Sequence, residues 1–314
     1  MKIYLYFLIL TLLPATLLAQ QDAKIAFYQQ NLQLYNPAAT GLDDRTTLGS
    51  SFRNQWSGVE GAPTIQAFHL SIPGGEKRLA YGGLVLADQT FVERQTRLFA
   101  TFSYRIPVGK SNSLYLGIQG GGNLVNLNFD GINLAHSDDG QLGNLSRFYP
   151  NIGVGAHLKT NRLYLSLSAP MLFGNKKEKN ADAIAPTPAD DMHLYFSGGL
   201  RLPAFAEDWE YLASTLIRWV ADAPVAAVFN AGLAYRKSEL LLAYHHNGSL
   251  GASLLIDSGE LISFGYAYEF PTTRLLSKLH SGNHELIFRI KFNNKKNNAG
   301  KSISPKRDDD LALN

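Results

Sequence analysis

Cysteine is absent from this 314-residue chain. That excludes disulfides and thiolate metal sites, and it suits an exported protein that needs no covalent staples. Charge is sparse: 18% of residues carry it, and the net of +3 is too small for an electrostatic grip on nucleic acid. Long apolar runs are missing as well. Beyond residue 19 no stretch reaches the roughly 18 consecutive apolar residues that a membrane helix needs. Helical periodicity is nearly absent. Hydropathy alone would describe a soluble secreted protein.

What is present is alternation. In the last clear segment Leu286, Phe288, Ile290 and Phe292 alternate with Glu285, Ile287, Arg289 and Lys291. A strand has a side-chain period of two, so one face is apolar and the other largely charged. About 14 such segments follow one another, the pattern of an all-β, transmembrane, antiparallel up-and-down β-barrel with lipid outside and a polar lumen inside. Other members include Leu48 and Phe52 in a first strand ending at Trp56, then Phe68, Leu70 and Ile72, and later Ile262, Phe264, Tyr266 and Tyr268. The 28 glycines, 15 tyrosines and 17 phenylalanines agree with a barrel. A closed sheet also lets a chain of this length form one domain.

Two regularities support the parity. Arg53, Arg97, Arg105, Arg162, Arg201, Arg218, Arg236, Glu269, Arg289 and Lys291 all fall opposite the apolar set, as do His69, His157, His193 and His245. A Lys or Arg on the lipid face would cost about 2–4 kcal/mol at the midplane. Connections also alternate in length. Long ones run over 123–147, 171–190 and 271–282, whereas short ones contain Gly74-Gly75, Gly109-Lys110, Thr160-Asn161, Arg236 to Ser238 and Ser258-Gly259. Barrels pair short periplasmic turns with long outer loops, a rule that neither a soluble sandwich nor a propeller requires. Trp56, Trp219 and Phe270 mark an outer aromatic rim, and Tyr104, Tyr235 and Phe292 an inner one.

The flanks divide the rest. Residues 1–19 read as a secretory signal, with Lys2, an apolar run from Tyr4 to Leu13, Pro14 and a cleavage point after Ala19. Leu17 occupies a place where a small residue is preferred; the other reading, an uncleaved anchor helix, meets a run too short for an easy span. Residues 20–45 lack alternation and form a periplasmic lead-in or a plug. The barrel covers 46–292. Residues 293–314 read as a low-complexity, disordered periplasmic tail, solvated or partner-binding.

Motifs for chemistry are weak. Gly109-Lys110-Ser111 and Gly300-Lys301-Ser302 resemble the end of a phosphate loop, but Tyr104 and Lys295 stand where its first glycine belongs. Gly120-Gly121-Gly122 reads as a strand end that eases curvature or leaves lumen space. The eight histidines lack metal-ligand spacing, and the acids Asp130, Asp138 and Asp139 lack an EF-hand pattern. No Gly-x-Ser-x-Gly elbow exists for a hydrolase. No catalytic residue, cofactor or metal is expected. Lumen arginines either select anions or pair with Glu269 and loop acids to fill the barrel.

Three motifs carry a family resemblance: Tyr35-Asn36-Pro37-Ala38-Ala39-Thr40-Gly41; Arg53-Asn54-Gln55-Trp56 continuing through Gly58 to Gly61-Ala62-Pro63-Thr64; and Ser281-Gly282-Asn283-His284-Glu285. Together they resemble the PorP/SprF family of outer-membrane proteins from the type IX secretion and gliding apparatus of Bacteroidetes, over essentially the whole mature chain to Phe292. The Lys/Asn-rich extension beyond is where the chain departs from it. The resemblance implies a non-enzymatic outer-membrane barrel that serves protein secretion or surface anchoring. Its partners would be outer-membrane lipid and either type IX components or a secreted adhesin, with no nucleic acid. In this reading Asn36, Pro37 and Ala38 fix a turn where the lead-in enters the barrel. Arg53 and Gln55 face the lumen and tether the lead-in or a loop, beside Asn54. Trp56 sits at the outer rim, Gly61 and Pro63 shape the first outer loop, and His284 with Glu285 leads into the last strand. Barrel architecture without partner contact is the other account of these residues. A competing function is a channel for small hydrophobic solutes, like the fatty-acid porins, which share the Asn-Pro-Ala element.

Overall fold

The computed structural model describes residues 25–74, 78–128, 144–173, 192–221, 223–246, 248–258, 261–272 and 281–292. The expected signal, the tail, Asp130, Asp138, Asp139 and Gly300-Lys301-Ser302 lie outside the described residues.

Fourteen antiparallel strands close into a barrel. They are β1 (Thr46–Asn54), β2 (Thr64–Ile72), β3 (Leu79–Thr90), β4 (Glu93–Val108), β5 (Asn112–Leu127), β6 (Leu145–Lys159) and β7 (Leu163–Ala169). There follow β8 (His193–Pro203), β9 (Trp209–Val220), β10 (Ala226–Tyr235), β11 (Ser238–His245), β12 (Ser249–Asp257), β13 (Ile262–Pro271) and β14 (Asn283–Phe292). Each strand pairs with its sequence neighbours, and β1 meets β14 in a register from Thr46↔Phe292 to Asn54↔His284. Closure leaves no sheet edge to template aggregation.

The parity read from sequence is the parity of the wall. Phe52, Phe68, Leu98, Leu116, Ile118, Leu242, Phe264, Leu286 and Phe288 are among the large apolar residues on the exterior. Arg53, His69, His157, His193, His245, Glu269 and Glu285 are buried inside. The three long connections fall at one end, the loop end, and the five short ones at the other, the turn end, where Thr46 and Phe292 also lie. Three loop-end connections, 91–92, 221–225 and 246–248, are nevertheless short.

Several boundaries differ from the expected ones. The first strand stops at Asn54, before Trp56. Trp56 has φ +49°, which a strand cannot continue, and Gln55 N donates to Pro63 O at 2.9 Å to close the loop. The connection over 123–147 is shorter than expected because β5 and β6 stay paired out to Leu127↔Leu145. Gly120-Gly121-Gly122 therefore lies within β5 rather than at its end; a side chain at Gly121 would strike the β4 backbone at Leu98 and Phe99. Gly109-Lys110-Ser111 is the β4–β5 turn, with Gly109 at φ +71°.

The lumen is not polar throughout. Ile65, Leu86, Leu216, Leu255 and Ile287 face inward and pack with Ile25, Phe27, Tyr28, Leu32 and Tyr35. Burying one such side chain removes it from water for about 1.5–3 kcal/mol. The barrel thus has a packed core, built where wall and N-terminal segment meet.

Candidate functional site

Residues 25–42 lie inside the barrel. The backbone N–H groups of Ala26 and Phe27 donate to Glu285 at 2.6 and 3.2 Å, near the loop end of β14. The chain then descends. Gln29 reaches the Tyr164 hydroxyl at 3.4 Å and Gln30 the Glu239 carboxylate at 2.8 Å, both next to the turn end. It climbs again to Tyr35, whose ring meets Tyr195 with centroids 5.3 Å apart. Finally it drops to Gly41, whose N–H donates to Ser71 Oγ at 2.7 Å, and enters β1. Tyr28 donates to Ser214 Oγ at 2.7 Å.

Asn36, Pro37 and Ala38 form the tightest part of this segment. Pro37–Ala39 is one 3-10 turn with Asn36 as its N-cap. Asn36 Oδ1 accepts from Ala38 N at 2.8 Å, while its Nδ2 donates to Ser166 Oγ at 2.7 Å and to Ala156 O at 3.0 Å. Pro at the first helical position loses no needed donor. The turn sits mid-lumen against β5 and β6 rather than at the mouth of the barrel. Inward glycines admit it: a Cβ on Gly155 would collide with the Asn36 side chain, and one on Gly117 with the Pro37–Ala38 backbone. A glycine inside a strand often marks such a close backbone approach.

At the loop end of the β14–β1 seam, Arg53 stands directly across from Glu285. The guanidinium donates to Glu285 Oε2 at 3.4 Å and, through its other terminal nitrogen, to Glu269 of β13. Ser51 donates to Glu285 Oε1 at 3.0 Å, and Ser249 to Glu269 Oε1 at 2.5 Å. Arg53 is 4% exposed and Glu285 1%. One carboxylate thus gathers the closing strands and the start of the lumen segment, and each buried charge has a partner, as burial demands.

The remaining motif residues surround this seam. Asn54 ends β1, pairing with His284 and Thr64. Gln55 and Pro63 are buried and joined through the backbone. Trp56 N donates to Asn283 Oδ1 at 2.9 Å, which ties the first loop to β14. Gly61 has φ +70°, and its carbonyl accepts from Phe91 N. His284 faces outward, its Nδ1 2.7 Å from the Tyr266 hydroxyl. The motif therefore splits: Asn36 to Ala38 face the lumen side of β5 and β6, Arg53 and Glu285 meet at the β14–β1 seam, and Trp56, Gly61 and His284 belong to the rim.

Among the described residues, several inward cations pair with strand acids, as Arg53 does with the expected Glu269. Arg201 holds Glu210 at 2.7 Å and Glu239 at 2.5 Å, and Lys291 holds Asp257 at 2.6 Å. Arg289 holds Asp43, just before β1, at 2.7 Å. Sequence reasoning missed the wall partners Gly117, Gly155 and Ser166, and also Thr101, whose hydroxyl accepts from Gln33 Nε2 at 3.0 Å. Small residues on inward positions, facing a segment without alternation, were the available signal.

A closed antiparallel barrel with an apolar exterior and a lumen occupied by its own N-terminal segment defines an outer-membrane-type β-barrel. The chain belongs to the PorP/SprF family: the model described as "Type IX secretion system membrane protein PorP/SprF" matches residues 17–290. No curated protein matches significantly. Among solved structures, the CymD monoaromatic hydrocarbon channel is 13% identical, covering 82% of this chain and 91% of its own, at a TM-score of 0.49. Outer membrane phospholipase A from Escherichia coli is 10% identical, with 83% and 96% covered and a TM-score of 0.35. A mutant of the Rh. blastica porin is 5% identical, with 79% and 99% covered and a TM-score of 0.34.

Proposed function

We propose that this protein is a non-enzymatic outer-membrane component of the type IX secretion system that supports secretion or surface anchoring of partner proteins such as adhesins. In this reading, signal cleavage after Ala19 exports the chain, lipid bathes the apolar exterior, the turn end faces the periplasm and residues 25–42 plug the lumen. The observation that carries it is the fixation of that segment by Glu285 at one end and by the Asn36 turn in the middle. A lumen so occupied suits a protein-binding platform better than a solute path.

The test has two arms. Deletion of the chain from its host is expected to abolish surface display of a co-encoded adhesin, scored by protease shaving of intact cells, with recovery on complementation. The purified wild-type protein is expected to leave planar bilayers non-conducting and liposomes impermeable to small hydrophobic solutes. Normal display in the deletion strain, or solute uptake through the wild type, would overturn the proposal.

A further inference from the structure

The turn end of the lumen is hollow. A cavity of about 410 Å³ opens there beneath Gln29, Gln30 and Leu32 of the N-terminal segment. That lies within the range of roughly 300–1,000 Å³ typical of ligand sites. Its charges are unbalanced. Arg289 is matched by Asp43 and Arg201 by Glu239, all four on the lining. Lys159 and Arg162 also line it and form no ion pair among the described residues; the Lys159 ammonium donates to the Leu42 carbonyl at 3.0 Å. Arg78, Arg105 and Lys110 extend this basic arc along the adjoining turn-end rim and are exposed. The nearest acid before β1 besides Asp43 is Asp44, which is likewise exposed.

Two histidines complete the lining. His69 is 5% exposed and His157 2%, and neither ring Nδ1 has a hydrogen-bond partner. Buried polar atoms left unpaired are uncommon and call for a reason.

We propose that this vestibule receives an acidic peptide segment of a periplasmic protein, an inference that rests on the secretion-barrel reading. Carboxylates match the surplus guanidinium and ammonium, since charge-assisted bonds to Arg are the strong ones. The amides of Gln29, Gln30 and Asn161 suit a peptide backbone. A lipid headgroup fits less well, because the cavity lies inside the wall, away from the apolar exterior. Occupation would also press on the N-terminal segment, so the site links a periplasmic event to the lumen filling.

The experiment uses the full-length protein in detergent and a fluorophore-labelled oligoglutamate peptide, read by anisotropy. Saturable binding that weakens with salt is expected, with oligolysine inert. Lys159→Glu with Arg162→Glu should lower affinity by at least about tenfold. Arg236→Glu with Lys237→Glu, at the β10–β11 turn and outside the cavity lining, should change it by less than about twofold. Heat-modifiability on gels confirms that each variant remains a barrel. Equal binding by the Lys159/Arg162 variant or by oligolysine refutes the site. Displacement by millimolar inorganic phosphate as effective as that by free oligoglutamate reduces it to an anion site. Preferential capture of phosphatidylglycerol vesicles assigns it to lipid, which also refutes the proposal. Adhesin display lost on deletion together with no peptide binding would sink this inference alone, leaving the secretion reading intact.

Discussion

The two ends of the lumen use the same residue types to opposite effect. At the loop end an arginine, two glutamates and two serines close on one another and on backbone N–H groups, and both Arg53 and Glu285 are almost wholly buried. At the turn end Arg201 and Glu239 also pair, but the Arg201 side chain stays 37% exposed and a cavity remains beside it. Burial decides between the roles. A dry charge cluster tolerates no missing partner, so it acts as a clasp. A wet one keeps spare capacity, so it can receive something else.

The comparison breaks most severely if the clasp is opened. Glu285→Ala removes one carboxylate that accepts from Ala26, Phe27, Ser51 and Arg53. Arg53 keeps Glu269, but two backbone donors lose their acceptor. Breaking a buried pair costs about 3–5 kcal/mol, and the urea midpoint of the liposome-embedded barrel should fall accordingly. Glu285→Gln, which keeps an acceptor oxygen but loses the charge, should fall in between. An unchanged midpoint for Glu285→Ala would mean the seam holds without the clasp.

A second break spares all charges. Gly155→Val places side-chain atoms where Asn36 now lies, and Gly117→Val does so against the Pro37–Ala38 backbone. Overpacking costs about 1–3 kcal/mol. Here the wall can survive while the N-terminal segment is displaced. Both variants are expected to keep a folded barrel, gain conductance in planar bilayers and expose the segment to protease. A variant that stays silent in bilayers would argue that the segment shifts without leaving.

How much of this was legible beforehand follows from periodicity. The wall was readable because an outward apolar set every second residue survives even where the inner face varies. The N-terminal segment was visible only as a lack of alternation, since its order comes from the wall around it and not from any local pattern. The apolar centre of the lumen was missed for a related reason. Leu84-Val85-Leu86, Leu240-Leu241-Leu242, Leu254-Leu255-Ile256 and Leu286-Ile287-Phe288 put an apolar residue on both faces. Such runs read as noise against strict alternation, yet Leu84, Leu86, Leu241, Leu255 and Ile287 are all buried inward. Arg53 and Glu285 were placed on the inner face from sequence. Their meeting was not, because it depends on the register across a seam whose strands stand at opposite ends of the chain.

Sharpening the comparison takes a milder change between the ends. Asn36→Ala removes the cap on Ala38 N and the bonds to Ser166 and Ala156 without adding bulk. A lost N-cap costs about 0.5–2 kcal/mol, and a buried acceptor left without its donor adds to that. The urea midpoint should fall by less than for Glu285→Ala, with conductance still absent because no added bulk pushes the segment from the lumen. Conductance equal to that of Gly155→Val would shift the holding point from the seam to the turn.

The smallest effect belongs at the turn-end rim. Arg236 donates to Asp208 at 3.1 Å, and its guanidinium carbon lies 5.3 Å from the Tyr235 ring centroid, so by contact count it rivals Arg53. Yet its side chain is 68% exposed and that of Asp208 46%. Water solvates both ions as well apart as together, and exposed pairs often contribute nothing measurable. Arg236→Ala should therefore leave the urea midpoint unchanged, while the neighbouring rings of Trp209 and Tyr235, 5.2 Å apart, keep that rim in place. A drop approaching that of Glu285→Ala would show that pairing alone, and not burial, separates the two ends.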